Sequence, residues 1–116
     1  MGYEVVRGDG VDQDLDLIFD FLIAAAEQFG VDERSAFELA ERRLSDIERA
    51  MHTLGQAPHQ GTLRPHLGHG IRNVTKSRAV FYFDLDEGRK ILRILAVFFG
   101  GQDHDSRILL RLLQAH

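Results

Sequence analysis

Six histidines and no cysteine among 116 residues narrow the chemistry this chain can perform. Without a thiol, disulfides, thiolate catalysis and cysteine-based zinc sites are excluded. His66 and His69, in the segment HLGH, have the spacing of half a metal site, but no third ligand accompanies them and no metal is expected. Asp12, Asp14 and Asp16 imitate the opening of a calcium loop, yet Leu17 and Ile23 stand where such a loop needs Gly and Glu. His104 is of the type that donates to a phosphate or acts as an acid near neutral pH, and equally of the type that begins a helix. Arg93 falls in a row with Ile91, Leu95 and Val97. A guanidinium there must reach a carboxylate, a carbonyl or water, because burying it alone is very costly. No catalytic residue and no cofactor is assigned from these side chains.

Charge divides the chain more than its total of -4 implies. Through residue 60 there are 13 acids and 5 bases; beyond it, 5 acids and 9 bases. An anionic partner is therefore drawn to the second half, where Arg72, Lys76 and Arg78 lie close together. A pI near 5.8 argues against strong nonspecific nucleic-acid binding, and no direct sequence-specific binding is expected. The most apolar early stretch, residues 21 to 26, is far too short to span a bilayer, so a cytoplasmic protein is expected.

The elements that position these residues centre on 78 to 101. Ala79, Phe81, Phe83 and Leu85 alternate with Arg78, Val80, Tyr82 and Asp84, the period of a strand. Asp86, Glu87 and Gly88 supply a hairpin turn. The return strand, 89 to 99, is apolar on both faces, with Leu92, Ile94, Ala96 and Phe98 on one and Ile91, Leu95, Val97 and Phe99 on the other. It should be the central strand.

Earlier, Tyr3 to Arg7 reads as a short strand. Leu15, Ile18, Phe19, Leu22, Ala26 and Phe29 then recur at helical spacing, with Asp12 as the expected N-cap, Asp14 and Asp16 in the first turn, and Gly30 as the stop. Asp32 opens a second helix whose buried face carries Phe37, Ala40, Leu44, Ile47, Met51 and Leu54, and Gly55 is expected to close it in a left-handed conformation. The short link makes the two helices an antiparallel hairpin. Residues 56 to 70, holding both prolines, read as a loop, 71 to 74 as a strand, and 75 to 77 as a turn. Asp103 is placed as the cap of a last helix striped by Ile108, Leu109, Leu112 and Leu113. The order β-α-α-β-β-β-α predicts an α+β two-layer sandwich, a single domain over 1–116, with the helical hairpin on an antiparallel-rich sheet.

That order resembles the RelE/ParE superfamily of toxins from type II toxin-antitoxin systems, from Tyr3 to about Leu113. The matching residues are Leu15 and Ile18, the Leu54 to Pro58 segment followed by Gly61, Gly70-Ile71-Arg72, Tyr82 within VFYF, Ile94 to Val97 after Arg93, and Gly100 to Asp103. The resemblance implies one of two activities. RelE-like members cut messenger RNA on the ribosome; ParE-like members are implicated in poisoning DNA gyrase and take part in plasmid stabilisation.

Cutting RNA by 2'-hydroxyl attack needs a base, an acid and cations beside the phosphate. Arg72, Lys76, Arg78, Arg93 and His104, with Tyr82 as a packing or recognition residue, are the candidates to contact a target, and the cations are expected to gather on the sheet face away from the helices. The chain is acidic, holds only Lys76 and Lys90 as lysines, and lacks a C-terminal tyrosine, which favours the ParE-like branch and a binding inhibitor over an enzyme. The implied partner is a ParD-like ribbon-helix-helix antitoxin in a hetero-oligomer, its tail lying over Phe37, Leu44, Leu109, Leu112 and Leu113. A ribosome-dependent endoribonuclease, or a non-toxic relative that keeps only antitoxin binding, are the alternatives.

Overall fold

A computed structural model describes residues 2–100 and 104–114. In chain order the elements are β1 (Glu4–Arg7), α1 (Val11–Gln28), α2 (Glu33–Thr53), a 3-10 turn (Leu54–Gln56), β2 (Thr62–Leu63), β3 (Arg72–Lys76), β4 (Ala79–Asp86), β5 (Ile91–Phe99) and α3 (His104–Gln114). The expected order holds, with the two-residue β2 added inside the long loop. The five strands run β1-β5-β4-β3-β2, β1 parallel to β5 and every other pair antiparallel. The middle position therefore belongs to β4, and β5 lies between it and β1.

The hairpin α1–α2 covers one face of the sheet. Val11, Leu15 and Ile18 of α1 and Ile47 and Met51 of α2 are buried with Phe81, Phe83, Leu92, Ile94 and Val97. Each such Leu, Ile or Phe contributes roughly 1.5–3 kcal/mol of transfer free energy. A second cluster on the opposite face joins Tyr82, Leu95, Ala96, Phe98 and Ile108, so α3 covers part of that side.

One extra residue lets β5 serve both cores. Tyr82 pairs with Ala96, but Phe83 pairs with Ile94, leaving Leu95 unpaired in a bulge. Strict alternation is broken there. Leu92 and Ile94 face the helical hairpin together with Val97 and Phe99, while Leu95, Ala96 and Phe98 face α3. The expected assignment of faces is thus correct through Leu95 and inverted from Ala96 onward.

Several local expectations also change. Helix α1 begins at Val11, preceded by Gly10 at φ 88, so Asp12 is not its N-cap. Asp32 does cap α2, accepting from the Ser35 amide at 2.9 Å. Gly55 does not take a left-handed conformation. It is glycine because a Cβ would overlap the Tyr3 carbonyl oxygen, where β1 crosses the 3-10 turn and Tyr3 N donates to Gly55 O at 2.7 Å. The tight turn between β3 and β4 is Ser77-Arg78, both at positive φ, 51 and 64. The return strand starts at Ile91, after Lys90 at φ 54. Asp103, the expected cap of α3, lies outside the described residues.

The far end of the β4–β5 hairpin is clasped to both flanks of the sheet. Glu87 accepts from Tyr3 Oη at 2.5 Å and lies 3.0 Å from His59 Nε2. Those contacts hold the Glu87 carboxyl below its ordinary range, and the carboxylate in turn pushes the Tyr3 phenol up.

Candidate functional site: an open sheet face beside α3

Helix α3 covers only the upper part of its sheet face. Below it, Val6 of β1, Ile91 and Arg93 of β5, and Asp84 and Asp86 of β4 line an open trough with Glu4, Glu87 and Arg89 around it. Register explains the grouping: Glu4 and Val6 pair with Ile91 and Arg93, and Asp84 and Asp86 pair with Arg93 and Ile91. The trough continues past Arg93 into a groove of about 210 Å³ lined by Gly8, Asp9, Leu95, Arg111 and Leu112.

Arg93 meets the demand its apolar row placed on it. Its Nε and Nη2 donate to the two oxygens of Asp84 at 3.2 and 2.8 Å, across a directly opposed strand pair. The hydrogen bonds and the charge of Asp84 raise the guanidinium further above its ordinary value.

Sequence reasoning does not single out Arg111, which joins Arg93 at the site. Arg111 Nη2 and Nη1 donate to Asp14 at 2.6 and 2.9 Å, and Nη1 also donates to Leu95 O at 3.2 Å. Asp14, 4% exposed, also accepts from Val97 N at 3.0 Å. The backbone requires this pair. β1 ends opposite Ile94, where Gly8 N donates to Ile94 O at 2.8 Å, and beyond that point no strand among the described residues lies beside this edge of β5. Asp14 and Arg111 take the place of the missing strand, satisfying the Val97 N–H and the Leu95 carbonyl. Gly10 leaves room for the guanidinium, since a Cβ there would sit 3.0 Å from Arg111 Cζ. A signal existed in the sequence: Asp14 shares the stripe of Val11, Leu15 and Ile18, and Arg111 that of Ile108 and Leu112, so opposite charges occupy two buried stripes.

The expected cations do not gather on one face. Arg72 and Lys76 pair with Phe83 and Ala79, residues of the helical-hairpin side, and Arg72 Nη1 is committed to His59 O at 2.9 Å. Arg78 occupies the β3–β4 turn. Tyr82 is 1% exposed, edge-on to Phe98 with centroids 5.9 Å apart. His104 stacks on the same Phe98 ring at 5.1 Å, and the Arg107 guanidinium lies 4.7 Å from its centroid. Tyr82 and His104 are thus brought together around Phe98, apart from Arg72 and Lys76.

The apolar candidates separate as well. Leu109 and Leu113 are exposed on the outside of α3, joined by Leu110, whereas Leu112 packs into the second core. Leu44 packs against the main core, and Phe37 lies on α2, its ring edge-on to Phe19 at 5.3 Å. Between α1 and the end of β5, the half-exposed Leu17 and Phe21 form a further apolar groove with Phe99 and Arg107.

No family profile matches the chain, and no curated protein does. Solved structures do match in shape. The chromosomal ParDE toxin-antitoxin system from P. aeruginosa superposes with a TM-score of 0.65 at 22% identity, over 85% of this chain and 97% of that one. The RelBE2 toxin-antitoxin complex from Mycobacterium tuberculosis gives 0.53 at 16%, over 88% and 95%. A mutant of the E. coli toxin RelE in the free state gives 0.59 at 5%, over 97% and 99%. The topology expected from the sequence and these likenesses agree: the chain has the fold of the RelE/ParE toxins.

Proposed function

We propose that this chain is the toxin of a type II toxin-antitoxin pair, a ParE-like protein that inhibits DNA gyrase by binding it and is silenced by a ParD-like antitoxin. The observation that carries this reading is the state of Arg93 and Arg111; of the arginines around the trough only Arg89, at its rim, has no carboxylate partner among the described residues. A nuclease needs cations free to meet the charge that builds on phosphate. Here Arg93 is forked on Asp84 and Arg111 on Asp14, and Glu4, Asp86 and Glu87 add negative charge beside them. Such a trough suits a polypeptide better than an RNA strand. The likenesses to the ParDE, RelBE2 and RelE structures support the toxin reading as a whole.

In this reading the protein is a single cytoplasmic domain in a hetero-oligomer with its antitoxin, whose tail covers the exposed leucines of α3 and the trough. Among the described residues no helix is long and apolar enough to cross a membrane. The test is gyrase supercoiling with purified toxin added, alone and after mixing with the product of the adjacent gene. Supercoiling is expected to fail with toxin and recover with the pair. Normal supercoiling together with ribosome-dependent mRNA cutting would overturn the proposal in favour of a RelE-type nuclease, and harmless expression in the native host would point to a non-toxic relative.

A further inference from the structure

The helical hairpin presents a second surface, lined by no residue of α3, that neither the fold nor the trough requires. Phe37 is 46% exposed, although its ring is fixed edge-on against Phe19. Glu33 and Glu41 stand one turn before and after it on the same helix, so a carboxylate, an aromatic ring and a carboxylate form one row at i, i+4 spacing. With Asp32 and Glu38 they line a single shallow concavity. Neither Glu33 nor Glu41 has an ion-pair partner among the described residues, and the one arginine in the concavity, Arg34, is engaged by Glu38 at 3.7 Å. The buried residues of this half of α2, Ala36 and Ala40, do not belong to the cluster shared with the sheet. Apart from the Phe37–Phe19 contact, no ion pair, hydrogen bond or ring contact joins its outer row to another element among the described residues.

We propose that this row docks a helical segment of a second polypeptide carrying a cation, an apolar side chain and a cation at the same spacing. Charge complementarity fixes the occupant. The apolar residue packs on the Phe37 ring, while lysine or arginine one turn to either side meets Glu33 and Glu41. An acidic or uncharged helix would leave both carboxylates beside an apolar contact without compensation. The row shares Phe37 with the positions expected under an antitoxin tail, yet its docking chemistry uses neither the trough nor α3 and holds whether or not the chain is a toxin.

The probe is a short alanine-based helical peptide with Lys, Leu and Lys at i, i+4 and i+8, compared by fluorescence anisotropy with a peptide of identical composition whose leucine lies on the opposite face. The full chain is expected to bind the first about tenfold more tightly. Phe37→Ser should abolish that preference, and Glu33→Gln with Glu41→Gln, which cannot disturb the core, should weaken binding by about fivefold. Asp16→Asn with Asp20→Asn, exposed carboxylates of α1, should leave binding unchanged. Equal binding of the two peptides, or an equal loss in the α1 variant, would mean diffuse attraction to an acidic half-molecule and would overturn the proposal.

Discussion

Asp14 and Arg111, 97 residues apart in sequence, form a two-pronged ion pair at 2.6 and 2.9 Å that closes the bulged edge of β5 and ties α1 to α3. Asp14 is almost wholly enclosed, its side chain 3% exposed against 28% for Arg111. Removing the arginine leaves a buried carboxylate without its counter-charge. Arg111→Ala is therefore expected to cost about 3–5 kcal/mol in urea unfolding. Replacing the pair by Leu and Met should recover only part of this, because the Val97 N–H would still lack its acceptor.

Gly55 is a packing requirement, and its substitution tests that directly. A methyl group there meets the Tyr3 carbonyl oxygen and the Val5 side chain, both of β1 or its approach. Gly55→Ala should destabilise by about 1–3 kcal/mol, read as a lower urea midpoint. A change within a few tenths would mean that β1 can shift without loss.

The β3–β4 turn carries strain that can be relieved. Ser77 and Arg78 both sit at positive φ, a conformation that Asn and Gly adopt far more readily. Ser77→Asn with Arg78→Gly should raise stability by about 1 kcal/mol or more. Arg78 is also a candidate target contact. Under the proposed function, a variant that is more stable yet no longer inhibits gyrase would assign the arginine to recognition.

The Tyr3–Glu87 clasp has opposite limits in acid and in alkali. Glu87 titrates below its ordinary value of 4.5, so the stability it contributes is present above that value and is lost as pH falls through the depressed folded value. Tyr3 titrates above its ordinary value of 10.0, so its contribution is present below 10.0 and is lost as pH rises through the raised folded value. Glu87→Gln should weaken both dependences in thermal melts across pH. Both groups are exposed, so the amplitudes should be small.

How far the sequence discloses this molecule depends on the range of the interaction. Periods of two and of 3.6 suffice for the β4 row and the two helices, because one buried face imposes them locally. The Asp32 cap is legible for the same reason. What escapes is set by contacts between distant segments. The bulge at Leu95 depends on how β5 is shared between two layers. Gly55 answers to a carbonyl of β1. Asp14 looks like a dipole-favouring acid until α3 brings Arg111 to it. The scattered cations make the same point: Arg72, Lys76 and Arg93 are near in sequence, but strand register sends them to opposite sides of the sheet.

The unpaired Leu95 has a consequence for anyone comparing this chain with others. On either side of it, the same odd or even numbering denotes opposite layers of the molecule. An alignment that runs without a gap through this position, against a strand that lacks the extra residue, will equate positions of one core with positions of the other from Ala96 onward. Detectable kinship would then fade over the most apolar stretch of the chain, even where the three-dimensional match continues.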